Sequence, residues 1–153
     1  MTIKIEQLTI KDSDVIFEWI LKLLEELGEE SGDLGALKRE TVLRAWRNLD
    51  DRFFVLLARN ERGEMMGILT LAVGFAIYAN GDYGIINEMY VIPEARSQGI
   101  GEALVQEAIS LGRRQDWSRI DVTAPESERW LRSRQFYERQ GFTFAGPKLK
   151  IIL

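Results

Sequence analysis

Between Pro93 and Leu104 an apolar strand gives way to the polar loop Arg96-Ser97-Gln98, and Gly99-Ile100-Gly101-Glu102 then opens a helix. A helix start leaves about four backbone N–H groups unpaired and carries a partial positive charge, so it receives anions. Glycine at 99 and 101 lets the backbone approach a phosphate with no side chain in the way. Arg96 adds a cation at the start of the loop. The chemistry this suits is binding a pyrophosphate. No Gly-Lys-Ser/Thr follows, as a nucleoside triphosphatase loop requires, and Leu104 stands where a third glycine would complete a dinucleotide fingerprint. On glycine spacing alone, a tight strand-to-helix turn accounts for the same residues equally well.

The residue types that are missing narrow the chemistry further. The chain has 0 His and no Cys, which removes Ser-His-Asp and Cys-His mechanisms, thiolate nucleophiles and most zinc or iron sites. No metal is expected. What remains is carboxylates, Tyr, Ser/Thr, Lys and backbone amides, a set suited to direct transfer between two bound substrates. A net charge of -4 argues against nucleic acid and mildly for cationic partners. No apolar run approaches the roughly 20 residues of a membrane span. Residues 1–6 lack the features of a signal peptide, so a cytoplasmic protein is expected.

The elements that must position the loop can be read from periodicity. Residues 2–10 alternate imperfectly as a strand, and Ser13 or Asp14 can cap a helix whose stripe runs from Val15 to Leu27 and stops at Gly28. Glu29, Glu30 and Asp33 mark an acidic loop. Asp33 can cap a second helix to about Leu49, a place for a substrate lid. Strands are expected at 53–59, 65–76 and 83–92, the last entered through the Asn80-Gly81 turn. A helix follows from Ile100, a short strand at 119–123, a helix at 128–140 closed by Gly141, and two short strands around Pro147. The order β-α-α-β-β-β-α-β-α-β-β reads as one α/β domain over residues 1–153, with a mixed central sheet flanked by helices.

The run from Asn87 to Gly101 resembles the acetyl-CoA motif of the GNAT superfamily of N-acetyltransferases: Arg96, Gly99 and Gly101 fill its fixed positions after a strand that ends in an apolar-x-Pro step. Some forty residues on, Phe136-Tyr137 followed by Gly141-Phe142 resembles the second signature of that superfamily. Two separated motifs at suitable spacing are more specific than either alone, and the element order agrees across nearly the whole chain.

The resemblance implies an acetyl-CoA-dependent enzyme that transfers its acyl group to the primary amine of a small molecule or peptide. Backbone groups of Met89, Tyr90 and Val91, on a strand splayed at a bulge, would bond the pantetheine arm. The amides of Ser97, Gln98, Gly99, Ile100, Gly101 and Glu102 would meet the pyrophosphate, with the Glu102 side chain turned away. Tyr137 would protonate the leaving thiolate; a core aromatic is the alternative. Glu88 would act as base toward the amine or attract its ammonium; a solvated or ion-paired strand residue is the alternative. Tyr83, Trp19, Trp46 and Tyr78 are candidates for the acceptor side, and the acidic loop either favours a cationic acceptor such as a polyamine, an aminoglycoside or a lysine side chain, or is simply a solvated loop. One departure is Trp130, where relatives carry an Asn that contacts the cofactor; another is Ser133, where they often have Ala. Of Arg129, Arg132, Arg134 and Arg139, one could reach the ribose phosphate. A homodimer is a state the resemblance allows. The rival readings are another acyl group and an acyl-CoA-binding regulatory module without turnover.

Overall fold

A computed structural model describes residues 2–28, 37–124 and 131–153. The elements are β1 (Lys4–Leu8), α1 (Ser13–Leu27), α2 (Arg39–Trp46), β2 (Phe53–Arg59), β3 (Met65–Ala76), β4 (Gly81–Val91), α3 (Ile100–Arg114), β5 (Ile120–Val122) and α4 (Leu131–Arg139). They form a mixed α/β fold around a five-stranded sheet in the order β1-β2-β3-β4-β5. The first four strands pair antiparallel, and β5 joins β4 in parallel after the α3 crossover.

The continuous apolar run of β2 follows from burial on both faces. Phe54, Leu56 and Ala58 point into the layer under α3, with Leu69, Leu71 and Ile86. Val55 and Leu57 point the other way, against Ile16, Trp19, Ile20 and Leu23 of α1. Ile100, Leu104, Ala108 and Leu111 recur at helical spacing and seat α3 on its side of the sheet. Leu104 is fully buried there. Leu104→Ala is expected to cost about 2–5 kcal/mol, read in urea unfolding as a lower midpoint with an unchanged slope.

Several boundaries differ from the sequence reading. A short 3-10 turn over Ile10–Asp12 precedes α1, and it is Thr9 and Asp12 that cap each other reciprocally. Gly28 does end α1, its N–H bonded to the Leu24 carbonyl. The second helix is short, Arg39–Trp46. The acidic loop with its Asp33 cap, and Arg129 and Trp130, lie outside the described residues.

The two C-terminal strands are a correction: residues 142–153 carry no strand. Apolar alternation makes a strand only where an edge is there to receive it. β5 offers just Ile120–Val122, and Pro147 has no N–H to give a ladder. Phe144, Leu149 and Ile151 accordingly stay exposed.

Candidate functional site

The site begins with a register shift. Leu71 of β3 faces Ile86 of β4 and Thr70 faces Glu88, so Asn87 is an extra residue, a β-bulge. Side chains alternate along a strand, and one extra residue exchanges the faces beyond it. Ile86 lies under α3. Past the bulge, Met89 and Val91 take the α3 face while Tyr90 packs on the α1 side, its ring edge-on to Trp19 at 5.9 Å. Glu88 shares the face of Tyr90.

Pairing with β5 covers only Gly84, Ile85 and Ile86. Beyond it, one edge of β4 has no neighbouring strand among the described residues. The Ile92 N–H donates to the Met66 carbonyl at 3.0 Å. Antiparallel alternation then turns the backbone groups of Tyr90 toward β3 and those of Met89 and Val91 toward the open edge. Of the three strand residues singled out in the sequence, Met89 and Val91 therefore offer main-chain groups there, and Tyr90 does not. The Val91 carbonyl accepts from Arg96 Nε at 3.0 Å.

Arg96 reaches no further into the loop. Its guanidinium lies over the Tyr90 ring, 5.7 Å from the centroid, and pairs with Glu26 of α1 at 2.6 Å. With that charge engaged, the loop presents backbone amides to an anion. Ser97 and Gly99 both have left-handed backbone, φ 64° and 85°, the kind of local conformation that turns successive N–H groups into a concavity. Gly99 ends the loop as the N-cap of α3 and provides no side-chain cap. The first intrahelical bond is Ala103 N–H to the Gly99 carbonyl at 3.0 Å, so the amides of Ile100, Gly101 and Glu102 have no partner within the helix.

A Cβ on Gly99 would meet nothing within 4 Å. One on Gly101 would lie 3.2 Å from the Phe136 ring and 3.8 Å from Met89 Cε, so β4, the start of α3 and α4 converge at that glycine. Gln98 folds back, its side-chain amide donating to the Glu94 carbonyl at 3.0 Å. Glu102 is exposed, on the far side of the helix from Ile100 and Leu104. These open amides and bare glycines fit a pyrophosphate.

Tyr137 is buried on α4 between Phe136 and Phe142, both edge-on to it at 5.2 and 5.6 Å. Burial pushes its phenol well above the ordinary tyrosine range. On the free reference values donation to a thiolate is already uphill, and burial of the phenol adds to this except where the thiolate is equally dehydrated. Tyr137 borders a groove of about 1440 Å³ that runs between β5, α4 and the C-terminal segment, with Trp117, Val122 and Phe142 on its walls. The loop at 96–102 does not line that groove; Gln98 borders a separate hollow of about 640 Å³ beside Trp19 and Met66.

Glu88 is half-buried and hydrogen-bonded to Thr70, a residue the sequence reading did not single out. Burial raises its carboxyl above the ordinary range, and the Thr70 hydroxyl partly offsets this. The signal that could have found Thr70 is its hydroxyl in the otherwise apolar run Gly67-Ile68-Leu69-Thr70-Leu71.

The acceptor-side aromatics do not gather. Trp19 is core and Trp46 packs on Phe53 at 5.1 Å. Tyr78 and Tyr83 pair with each other at 6.4 Å near the β3–β4 turn, with Arg119 over Tyr78.

The profile of the Acetyltransferase (GNAT) family matches residues 17–142, which contain the bulged strand, the loop and α4. The chain belongs to the GNAT acetyltransferase family. Solved structures share the GNAT fold at low identity. HMB0005, an aminoglycoside acetyltransferase from an uncultured soil metagenomic sample, is 18% identical with a TM-score of 0.78, covering 100% of this chain and 99% of its own. The aminoglycoside acetyltransferase meta-AAC0020, also from an uncultured soil metagenomic sample and in complex with sisomicin, is 19% identical with a TM-score of 0.76, covering 99% and 96%. A transcriptional regulator from Bacillus halodurans C-125 is 20% identical with a TM-score of 0.76, covering 99% and 100%. No curated protein sequence matches the chain. GNAT acetyltransferases typically use acyl-CoA, and the fit of the α3 amides to a pyrophosphate agrees with that.

Proposed function

We propose that this GNAT acetyltransferase moves an acetyl group from acetyl-CoA to a cationic primary amine by direct transfer. The observation that carries the reading is the uncapped start of α3, with open space at Gly99, beside the outward-facing backbone of Met89 and Val91. The amides from Ser97 to Glu102 would hold the pyrophosphate, and the N–H and C=O groups on the open edge of β4 would bond the pantetheine amides. Bound there, acetyl-CoA supplies the acyl group as an activated thioester. A β4 N–H near the reacting carbonyl would stabilise charge that develops on its oxygen.

The amine is protonated at neutral pH and cannot attack until it loses a proton. Glu88, raised toward the working range by burial, would take that proton directly or through a water. Tyr137 stays protonated at any ordinary pH, and would give its hydrogen bond to the departing sulfur. A net charge of -4 and a fold shared with two aminoglycoside acetyltransferases support a cationic acceptor.

Calorimetric titration with acetyl-CoA tests the cradle. The wild type should bind, and Gly99→Glu should lose affinity by at least about tenfold, because a carboxylate then stands in the anion site. Gly99→Ala is the control for backbone strain at φ 85°, which costs roughly 1–2 kcal/mol. Equal binding by wild type and Gly99→Glu would move the pyrophosphate elsewhere.

A further inference from the structure

We infer that Thr70 is a positioning residue, whose hydroxyl fixes where the Glu88 carboxylate points and clamps the bulge that brings it there. The inference rests on Glu88 acting as the base. Thr70 is 1% exposed, the one buried polar residue in a core otherwise made of apolar side chains among the described residues. Its hydroxyl donates to Glu88 Oε2 and accepts from the Glu88 N–H at 3.2 Å. One side chain thus holds both ends of the same residue, across the step where the β3–β4 register shifts.

Without the hydroxyl, the amide beside Asn87 and a dehydrated carboxylate oxygen would each lose a partner. An unmet buried group of that kind is costly, so the bulge and the carboxylate orientation would loosen together. Valine has almost the same shape as threonine and could fill the site; only the hydroxyl explains the contact to Glu88.

The groups around Glu88 leave Thr70 as the polar side chain that addresses it. On β4, Tyr90 shares its face, and over that face α1 lays Ile16, Trp19, Ile20 and Leu23. Val55 and Leu57 of β2 and Ile68 of β3 complete the layer. Charges border this layer without touching Glu88: Arg96 pairs with Glu26 over the Tyr90 ring, Glu25 and Glu94 act on Tyr90, and Lys22 lies over the Trp19 ring at 4.8 Å. Burial and the Thr70 hydroxyl are what act on the Glu88 carboxyl, in opposite directions.

The test is the carboxyl titration of Glu88, followed by NMR in the protein without substrate after ¹³C labelling of glutamate, with the signal assigned by its loss in Glu88→Gln. Thr70→Val should raise the midpoint by about one pH unit, the worth of a hydrogen bond to a charged group. Thr70→Ser should restore it, and the acid limb of kcat/KM should move with it. Should Thr70→Val not fold, Thr70→Ala gives the same readout. A midpoint that stays put in the Val or Ala variant overturns the inference. A midpoint that moves while the kcat/KM limb does not supports Thr70's hold on Glu88 and instead rejects Glu88 as the base.

Discussion

Glu88→Gln is expected to lower kcat/KM by about 10²- to 10⁴-fold at neutral pH, the usual contribution of a placed general base, measured as thiol release with a panel of primary amines. Gln keeps the size of Glu88 and can still accept from the Thr70 hydroxyl, so the loss reports the proton and not the packing. Affinity for acetyl-CoA should be unchanged, because the proposed cradle lies at α3. The same substitution has an opposite effect on stability. Burial raises the Glu88 carboxyl in the folded chain above its unfolded value, so the folded state holds that proton more tightly. Stability then falls as pH climbs from the unfolded value to the folded one, and the full penalty is present above it. Glu88→Gln should therefore unfold at a higher temperature than wild type at neutral pH, with the gap closing below the ordinary carboxylate range. Undiminished turnover across that whole pH range would remove Glu88 from the mechanism.

The second large effect is expected at Tyr137. Tyr137→Phe should reduce kcat by about 10²-fold or more and leave acetyl-CoA binding intact. The ring keeps both edge-on contacts, to Phe136 and Phe142, so stability should change by less than about 1.5 kcal/mol, as for other near-isosteric swaps. The pH dependence separates an acid from a packing residue. A donor must be protonated, and burial moves its loss of the proton upward. The wild-type rate should accordingly show no descending limb from Tyr137 below the ordinary tyrosine range. Full activity in Tyr137→Phe would leave the phenol a core aromatic, and the departing sulfur would have to be protonated by solvent.

What could be read from the sequence depended on how local the cause was. β2 and β3 came out at their observed bounds, Phe53–Arg59 and Met65–Ala76, since continuous apolar runs between turn residues carry their own limits. Gly28 as a helix stop and Gly99 as a helix start are equally local, because each rests on one backbone conformation. The C-terminal strands failed because a strand also needs a partner, and alternation in Phe144 to Leu153 says nothing about the edge it would meet. Arg96 reads in the sequence as a cation for the loop, whereas Glu26, seventy positions earlier in the chain, holds it.

Periodicity alone does not locate the bulge that the family resemblance implied. Read with period two, Ile86 and Glu88 share a face; the register places them on opposite ones. The Thr70 hydroxyl stands out in its apolar run, but its meaning comes from the residue it faces across the sheet.

Asn87 itself is exposed, and its role does not depend on its side chain. It is the residue by which β4 outnumbers β3 at this point. An alanine scan would pass over it, because any residue in that place keeps the count. Removing it is another matter. Glu88 would still face Thr70, and every later side chain would keep its side, but the strand would lose its bend and could run on beside β5. The open edge, and with it the outward main-chain groups of Met89 and the Val91 N–H, would close. A single codon, silent to substitution, separates a sheet with a cleft from one without.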